Sequence, residues 1–305
     1  MSTTTSDEIS LTEVWAEVFR RKIFIIVSGF LCAAIGVVIA LSLPNMYTAK
    51  VLTVPKMDES GGLGSLTNGL GGLAGMAGIQ LGSSSGPDKT QVALEVLKSQ
   101  RFINQFVEKH NLVVPLMVSK ASHPVSFELI YDEDKYDRQT NKWLREAKPP
   151  KSAEPTPQEI YERFLDIFEV NHDPKSGFVD LSIEFYSPKT AVQWLEWLIE
   201  DINEEMRQED IAEAQASIDY LNDALAKVTN TSMQTSFYQL IEDQTKILML
   251  ANSNKEYILK TISPAMIPEK RSKPSRVIIV IAGGVIGGFI SVLWVLIRFF
   301  KRSYS

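Results

Sequence analysis

Cysteine occurs once in 305 residues, at Cys32, so no intrachain disulfide can staple this fold. Histidine occurs three times, at His110, His123 and His172, and none has metal-ligand spacing to another. The sequence contains no G-x-x-x-x-G-K-[ST] phosphate loop and no G-x-S-x-G nucleophile elbow. The net charge of −6 argues against a general nucleic-acid surface. No catalytic residue, cofactor or metal is therefore predicted. Charge is also missing from two long stretches. Residues 23–43, IFIIVSGFLCAAIGVVIALSL, and residues 277–297, VIIVIAGGVIGGFISVLWVLI, are 21 residues each without one ionisable acid or base. As helices rising 1.5 Å per residue they are roughly 31 Å long, the thickness of a bilayer core.

These runs predict two transmembrane helices. A cleaved signal peptide fits the first run poorly. Its apolar region would be about 7–15 residues, with a short basic segment before it, whereas SDEISLTEVWAEVFRRK carries four acids. Arg20, Arg21 and Lys22 abut the start of the first run, and the next cation beyond its end is Lys50. By the positive-inside rule the N-terminus lies in the cytoplasm, and a second span returns the C-terminus there. Lys270, Arg271, Lys273 and Arg276 crowd the outer end of the second run, against the simple charge rule. A long translocated loop largely escapes that rule, so these cations are candidate contacts for lipid phosphates or a lipid-linked diphosphate.

The expected organisation follows. Residues 1–22 form a cytoplasmic amphipathic segment, with Leu11, Val14, Trp15, Val18 and Lys22 on one helical face; a solvated tail is the alternative. Residues 23–43 are the first span, 44–276 a periplasmic domain, 277–297 the second span and 298–305 a short cytoplasmic tail. Within the domain, YTAKVLTVP (47–55) reads as a strand. The Gly-rich loop 61–86 repeats Leu63, Leu66, Leu70, Leu73 and Met76 at helical steps, either as a plain flexible loop or as a segment that docks on the bilayer or a partner. Residues 88–109 read as one helix and 119–157 as an irregular region. A helix from 157 to 165 and a hairpin around Asp-Pro-Lys-Ser-Gly follow. EYILKTISPAMIP (256–268) reads as a last strand returning toward the membrane.

Residues 188–253 are expected to form a helical arm. Ile211, Ala214, Ile218, Leu221, Leu225 and Val228 step 3-4-3-4-3, a heptad seam. After the break TNTS, Met233, Phe237, Leu240, Gln244, Ile247 and Ala251 step 4-3-4-3-4. An antiparallel hairpin is the simplest outcome; a single helix would be roughly 90 Å long. The acids Glu196, Glu200, Asp201, Glu204, Glu205, Glu209, Asp210 and Glu213 read as a solvated face. A paired-carboxylate glycosidase is the competing reading, with Glu204 and Asp210 as its candidates. The fold class is α+β: two transmembrane helices enclosing a periplasmic α/β base domain with a long coiled-coil-like arm.

Small residues mark where the spans meet. Gly283 with Gly287 and Gly284 with Gly288 form two G-x-x-x-G pairs, and Ser28, Cys32, Gly36 and Ala40 form a ridge spaced by four. Such faces let helix backbones approach closely in lipid. Just before the second span, Pro264, Pro268 and Pro274 fix φ and remove backbone donors. They hold the lead-in extended.

The ordered set ISLTEVWAEVFRRK, GGLGSLTNGLGGLAGMAGIQLG, DKTQVALEVLKSQRF, IAEAQASIDYLNDALAKV and the Pro-rich segment with Lys270, Ser272 and Gly283–Gly288 resembles the Wzz-type polysaccharide co-polymerases, the O-antigen chain-length determinants. One departure is SKPSR, which places Lys273 before Pro274 where many relatives read Ser-Pro-Lys. The resemblance covers nearly the whole chain. It implies a non-enzymatic homo-oligomeric ring in the bacterial inner membrane. Its implied partners are a separate Wzy-type polymerase and an undecaprenyl-diphosphate-linked polysaccharide, and its role is control of lipopolysaccharide O-antigen length. The alternative is an adaptor for capsule or exopolysaccharide export that works with a separate cytoplasmic tyrosine kinase.

Overall fold

The computed structural model of the chain describes residues 19–56, 89–147 and 151–303. Most of the amphipathic segment expected at 1–22 and the whole Gly-rich loop 61–86 lie outside the described residues. The chain divides into two compact units, one of residues 1–46 with 271–305, the other of residues 47–270.

In the first unit, α1 (Lys22–Ser42) and α8 (Arg276–Ser303) pack together. Both are long and apolar enough to cross a membrane. Their outward faces carry large exposed apolar side chains, among them Phe30, Ile35, Val38, Val285 and Phe289, as an apolar solvent permits. α8 continues past the charge-free run, because Arg298, Lys301 and Arg302 are good helix formers.

The second unit is built on a four-stranded antiparallel sheet in the order β6-β7-β1-β8. Its strands are β1 (Tyr47–Pro55), β6 (Phe168–His172), β7 (Val179–Phe185) and β8 (Leu259–Ser263). β1 runs centrally, in register with β7 from Tyr47↔Phe185 to Thr53↔Val179, and with β8 through Pro55↔Leu259. Alternate side chains Val179, Leu181, Ile183 and Phe185 are buried, the two-residue period of a sheet with one covered face. The hairpin β6–β7 turns at Asp173, which accepts from the Lys175 amide. Gly177 there has φ +73°, a conformation that excludes most side chains.

Helices cover that face: α2 (Lys89–Lys98), α3 (Gln100–Lys109), α4 (Val113–Val118), α5 (Pro157–Leu165) and the first half of α6 (Pro188–Leu225). Leu97, Ile103, Phe106, Phe164, Trp194, Leu195, Leu198 and Ile202 fill the core between them. Local signals set the helix starts. Thr156 and Glu159 form a reciprocal capping box before Pro157, and Ser187 caps α6 before Pro188. The helix expected over 88–109 is two helices. Ser99 adopts an extended conformation and its hydroxyl accepts from the Phe102 amide, which ends α2 and caps α3.

The irregular region expected at 119–157 contains two small ribbons. One is β2 (Ser119–Ser122) with β3 (Leu129–Tyr131), the other β4 (Tyr136–Asp137) with β5 (Lys142–Trp143). Their strands are too short for a period to show. Aromatic contact between Tyr136 and Trp143, with ring centroids 5.0 Å apart, holds the second.

The arm is an antiparallel hairpin of α6 and α7 (Thr231–Ser253), joined at residues 226–230. Asn230 caps α7 by accepting from the Ser232 and Met233 amides. Its base lies farther along than residue 188. Ala191 to Met206 belong to the core, and only the distal half of α6 forms the hairpin. There Ile211, Ile218, Leu221, Leu225 and Val228 are half-buried and Ala214 is fully buried. On α7 the expected seam holds at Phe237, Gln244 and Ile247, which are half-buried, and at Ala251, which is fully buried, but Met233 and Leu240 are exposed and Gln234, Ile241 and Leu248 are half-buried beside it. Gln234 anchors this phase by donating to the Val228 carbonyl, 2.9 Å away.

Candidate functional site

The first unit concentrates the features that the sequence singles out. Along the α1–α8 interface, every glycine except Gly288 faces backbone or a small side chain on the other helix. A methyl group on Gly283 would lie 3.1 Å from the Cys32 carbonyl oxygen, and one on Gly36 3.3 Å from the Ile279 oxygen. At Gly287 a methyl would meet Cys32 Cβ, approach its Sγ to 2.6 Å and lie 3.2 Å from the Ser28 oxygen. Gly284 is less crowded, with Ala33 Cβ at 3.7 Å, and Gly288 faces nothing within 4 Å. Ser28, Cys32, Gly36, Gly283 and Gly287 therefore lie along one seam. Ala40, on the same ridge of α1, is buried.

The sequence reading missed Gly29 in α1, whose added methyl would lie 3.4 Å from the Gly284 oxygen. It also missed Ser291 and Val295, buried one and two turns beyond Gly287. The four-residue step from Gly287 through Ser291 to Val295 was available as the signal. Phe24 packs on Trp294, with ring centroids 5.2 Å apart, and Arg298 lies over the Trp294 ring.

At the other end of the pair, the chain leaving α1 is tied to the chain entering α8. The Met46 amide donates to the Lys273 carbonyl at 2.9 Å. The Ser272 amide and hydroxyl both donate to the Met46 carbonyl, at 2.8 and 3.0 Å. Arg276 Nη2 donates to Asn45 Oδ1 at 3.1 Å. The Lys273–Pro274 peptide is cis. Proline contributes to the form of this clamp: the Pro274 ring disfavours helical backbone at Lys273 before it, and α8 starts at Arg276. Of the predicted cations, Arg271, Lys273 and Arg276 fall in this unit. Lys270, Pro264 and Pro268 fall in the second. Asn45 and Met46 were not predicted; polar Asn45 after Pro44, at the end of the apolar run, was the available cue.

In the second unit three acids of the α6 row pair with cations on or next to α2 and α3. Asp201 accepts from Lys109 at 2.6 Å and from His110 Nε2 at 2.9 Å. Glu205 accepts from Arg101 at 2.8 Å, and Asp210 from Lys89 at 2.7 Å and from Tyr257. The cations descend in chain order as the acids ascend, because α6 runs opposite to α2 and α3. Hydrogen bonding to Asp201 raises the Lys109 pKa despite some desolvation. The His110 ring stacks on Trp197 at 4.4 Å. These pairings correct the expectation of a solvated acidic face at Asp201, Glu205 and Asp210, whereas Glu196, Glu200, Glu209 and Glu213 are exposed as that expectation has it. Glu204 and Asp210 are not poised as a catalytic couple either. Glu204 accepts from Arg207 and Gln208, which lowers its pKa, and Asp210 is held by Lys89 and Tyr257. His123 Nδ1 accepts from the Val125 and Ser126 amides, and His172 closes β6. Among the described residues, no three His, Cys, Asp or Glu side chains are grouped as metal ligands.

One buried polar residue that the sequence did not flag joins α6 to the start of β8. Asn203 of α6 accepts from the Ile258 and Leu259 amides and donates to the Ile199 and Leu259 carbonyls, all within 3.0 Å. It thereby fixes β8, the strand that leads out of the arm.

Residues 7–110 match the family model described as Wzz, chain length determinant protein. That stretch includes the first span, β1, α2 and α3. No curated protein matches the chain. Among solved structures, a full-length bacterial polysaccharide co-polymerase is similar over 97% of this chain and 99% of its own, at 14% identity and a TM-score of 0.40. A fragment of WzzB, the polysaccharide co-polymerase from Salmonella Typhimurium, is similar over 75% of this chain and 100% of its own, at 11% identity and a TM-score of 0.33. The family resemblance read from the sequence is thus met by a family-model match.

Proposed function

We propose that this chain regulates the length of a lipid-linked polysaccharide. It acts as an oligomeric inner-membrane co-polymerase beside a separate Wzy-type polymerase, with lipopolysaccharide O-antigen as the polymer. The observation that carries this reading is the match of residues 7–110 to the chain length determinant family. Two paired helices of bilayer length support it.

In this reading both termini face the cytoplasm, and residues 44–276 stand in the periplasm as the base domain with its arm. The protein does no bond chemistry itself. Its carboxylates on α6 serve structure, as their pairing with Lys109, Arg101 and Lys89 suggests. The spans anchor the chain in the bilayer in which a polymerase and its lipid-linked product meet, and the base with its hairpin arm is the periplasmic part.

Deletion of the gene, followed by gel separation of lipopolysaccharide, tests the proposal. The expected result is polymer of unregulated length, with the modal cluster lost and restored by the gene in trans. Loss of all polymer would indicate an essential enzyme. An unchanged lipopolysaccharide ladder with altered capsule would indicate an export adaptor instead.

A further inference from the structure

The described residues of the first unit, 19–46 and 271–303, contain no aspartate or glutamate. At the clamped end they carry Arg271, Lys273 and Arg276 within six residues. The clamp fixes the backbone that bears these cations, through Ser272 and Lys273 on Met46. Arg276 has an incomplete set of partners. Its Nη2 donates to a neutral amide oxygen of Asn45, and its Nε is buried with no acceptor among the described residues. A guanidinium presents a planar fork of donors suited to two oxygens of one anion. A single amide oxygen satisfies that fork poorly, and an unmatched buried donor is destabilising.

We infer that the clamp is a phosphate site for a lipid headgroup. Arg276 provides the fork, Lys273 and Arg271 the supporting charge, and Asn45 holds the guanidinium in place until a headgroup engages it. The ligand class follows from position and chemistry. The site lies at the end of two helices of hydrocarbon length, where lipid phosphates are concentrated, and cations at that level attract anionic lipid. The clamp would thereby register the helix pair against the membrane surface. The inference rests on the membrane-spanning reading of α1 and α8.

The test uses the full chain, purified in detergent and reconstituted in vesicles of phosphatidylglycerol with phosphatidylcholine, or of phosphatidylcholine alone. Lipid that stays bound is counted by native mass spectrometry after release from the vesicles. Wild type is expected to retain phosphatidylglycerol preferentially. Arg276→Gln should lower that retention about fivefold, the effect of one cation near an anionic surface, and Lys273→Gln by a similar factor. Arg276→Lys, which keeps the charge without the fork, should fall between. Equal retention by wild type and Arg276→Gln overturns the inference. Full displacement of the lipid by millimolar inorganic phosphate also overturns it, since the site would then take free anion. Resistance of the reconstituted chain to alkaline carbonate extraction separates the two ideas. A chain that washes off refutes the membrane reading; one that stays without lipid preference refutes only this site.

Discussion

Gly287 of α8 sits against Cys32 of α1 so closely that any side chain larger than hydrogen would overlap the Cys32 side chain. The neighbouring Gly288 faces open space. Adjacent glycines of one apolar run therefore do different work.

Gly287→Leu should force α1 and α8 apart. Overpacking of this kind costs about 1–3 kcal/mol. The expected outcomes are a lower thermal unfolding temperature in detergent and a broadened distribution of polymer lengths. Gly288→Ala should leave both unchanged. Equal effects at the two positions would show that this seam does not set the helix pairing. Gly284→Ala, with Ala33 at ordinary contact distance, should resemble Gly288→Ala.

Asn203→Leu should destabilise the second unit by about 2–4 kcal/mol. It removes the acceptor of the Ile258 and Leu259 amides and the donor to the Leu259 carbonyl, all buried. Denaturant unfolding followed by tryptophan fluorescence measures this, with Trp194 in the same core as reporter. A change under 0.5 kcal/mol would mean that Asn203 does not anchor β8.

Glu159 accepts both Arg145 nitrogens, at 2.7 and 3.2 Å, and the Thr156 amide at 3.0 Å, with Lys151 3.1 Å away. The Arg145 bond, the amide and Lys151 hold its pKa at about 2, below the ordinary 4.5. A carboxylate with a depressed folded pKa stabilises the fold above its unfolded pKa and stops doing so as pH falls through the folded value. Acid titration should therefore lower stability between about pH 4.5 and pH 2. In Glu159→Gln the fall over that window should be smaller, from a lower starting stability. An unaltered pH profile in the variant would remove Glu159 from the account.

Glu204→Gln should leave the polymer length distribution as in wild type, because the carboxylate meets only Arg207 and Gln208 of its own helix. A half-exposed pair of this kind contributes about 0–1 kcal/mol. Longer polymer in this variant, with normal protein levels, would favour a glycosidase.

The sequence alone determined this protein's relation to its solvent. Two 21-residue runs without charge admit only an apolar surrounding, and that follows from composition and length before any contact is known. Strand alternation in β1 and β7 and the heptad step of α6 were equally legible, because each is a period along one element. The start of α6 was legible as well, from Pro188 at a first helical turn. Tertiary structure decided everything that depends on how one element is turned toward another. It selected Gly283 and Gly287 over Gly288 for close approach, and Asn45 and Met46 as the clamp. It turned α7 so that Gln234 and Ile241, rather than Met233 and Leu240, face α6. It also made Asp201, Glu205 and Asp210 of the acidic row partners for α2 and α3. Periodicity fixes which residues share a face, but the rotation and offset that choose the facing residue come from packing between distant segments. A single element's sequence carries no term for them.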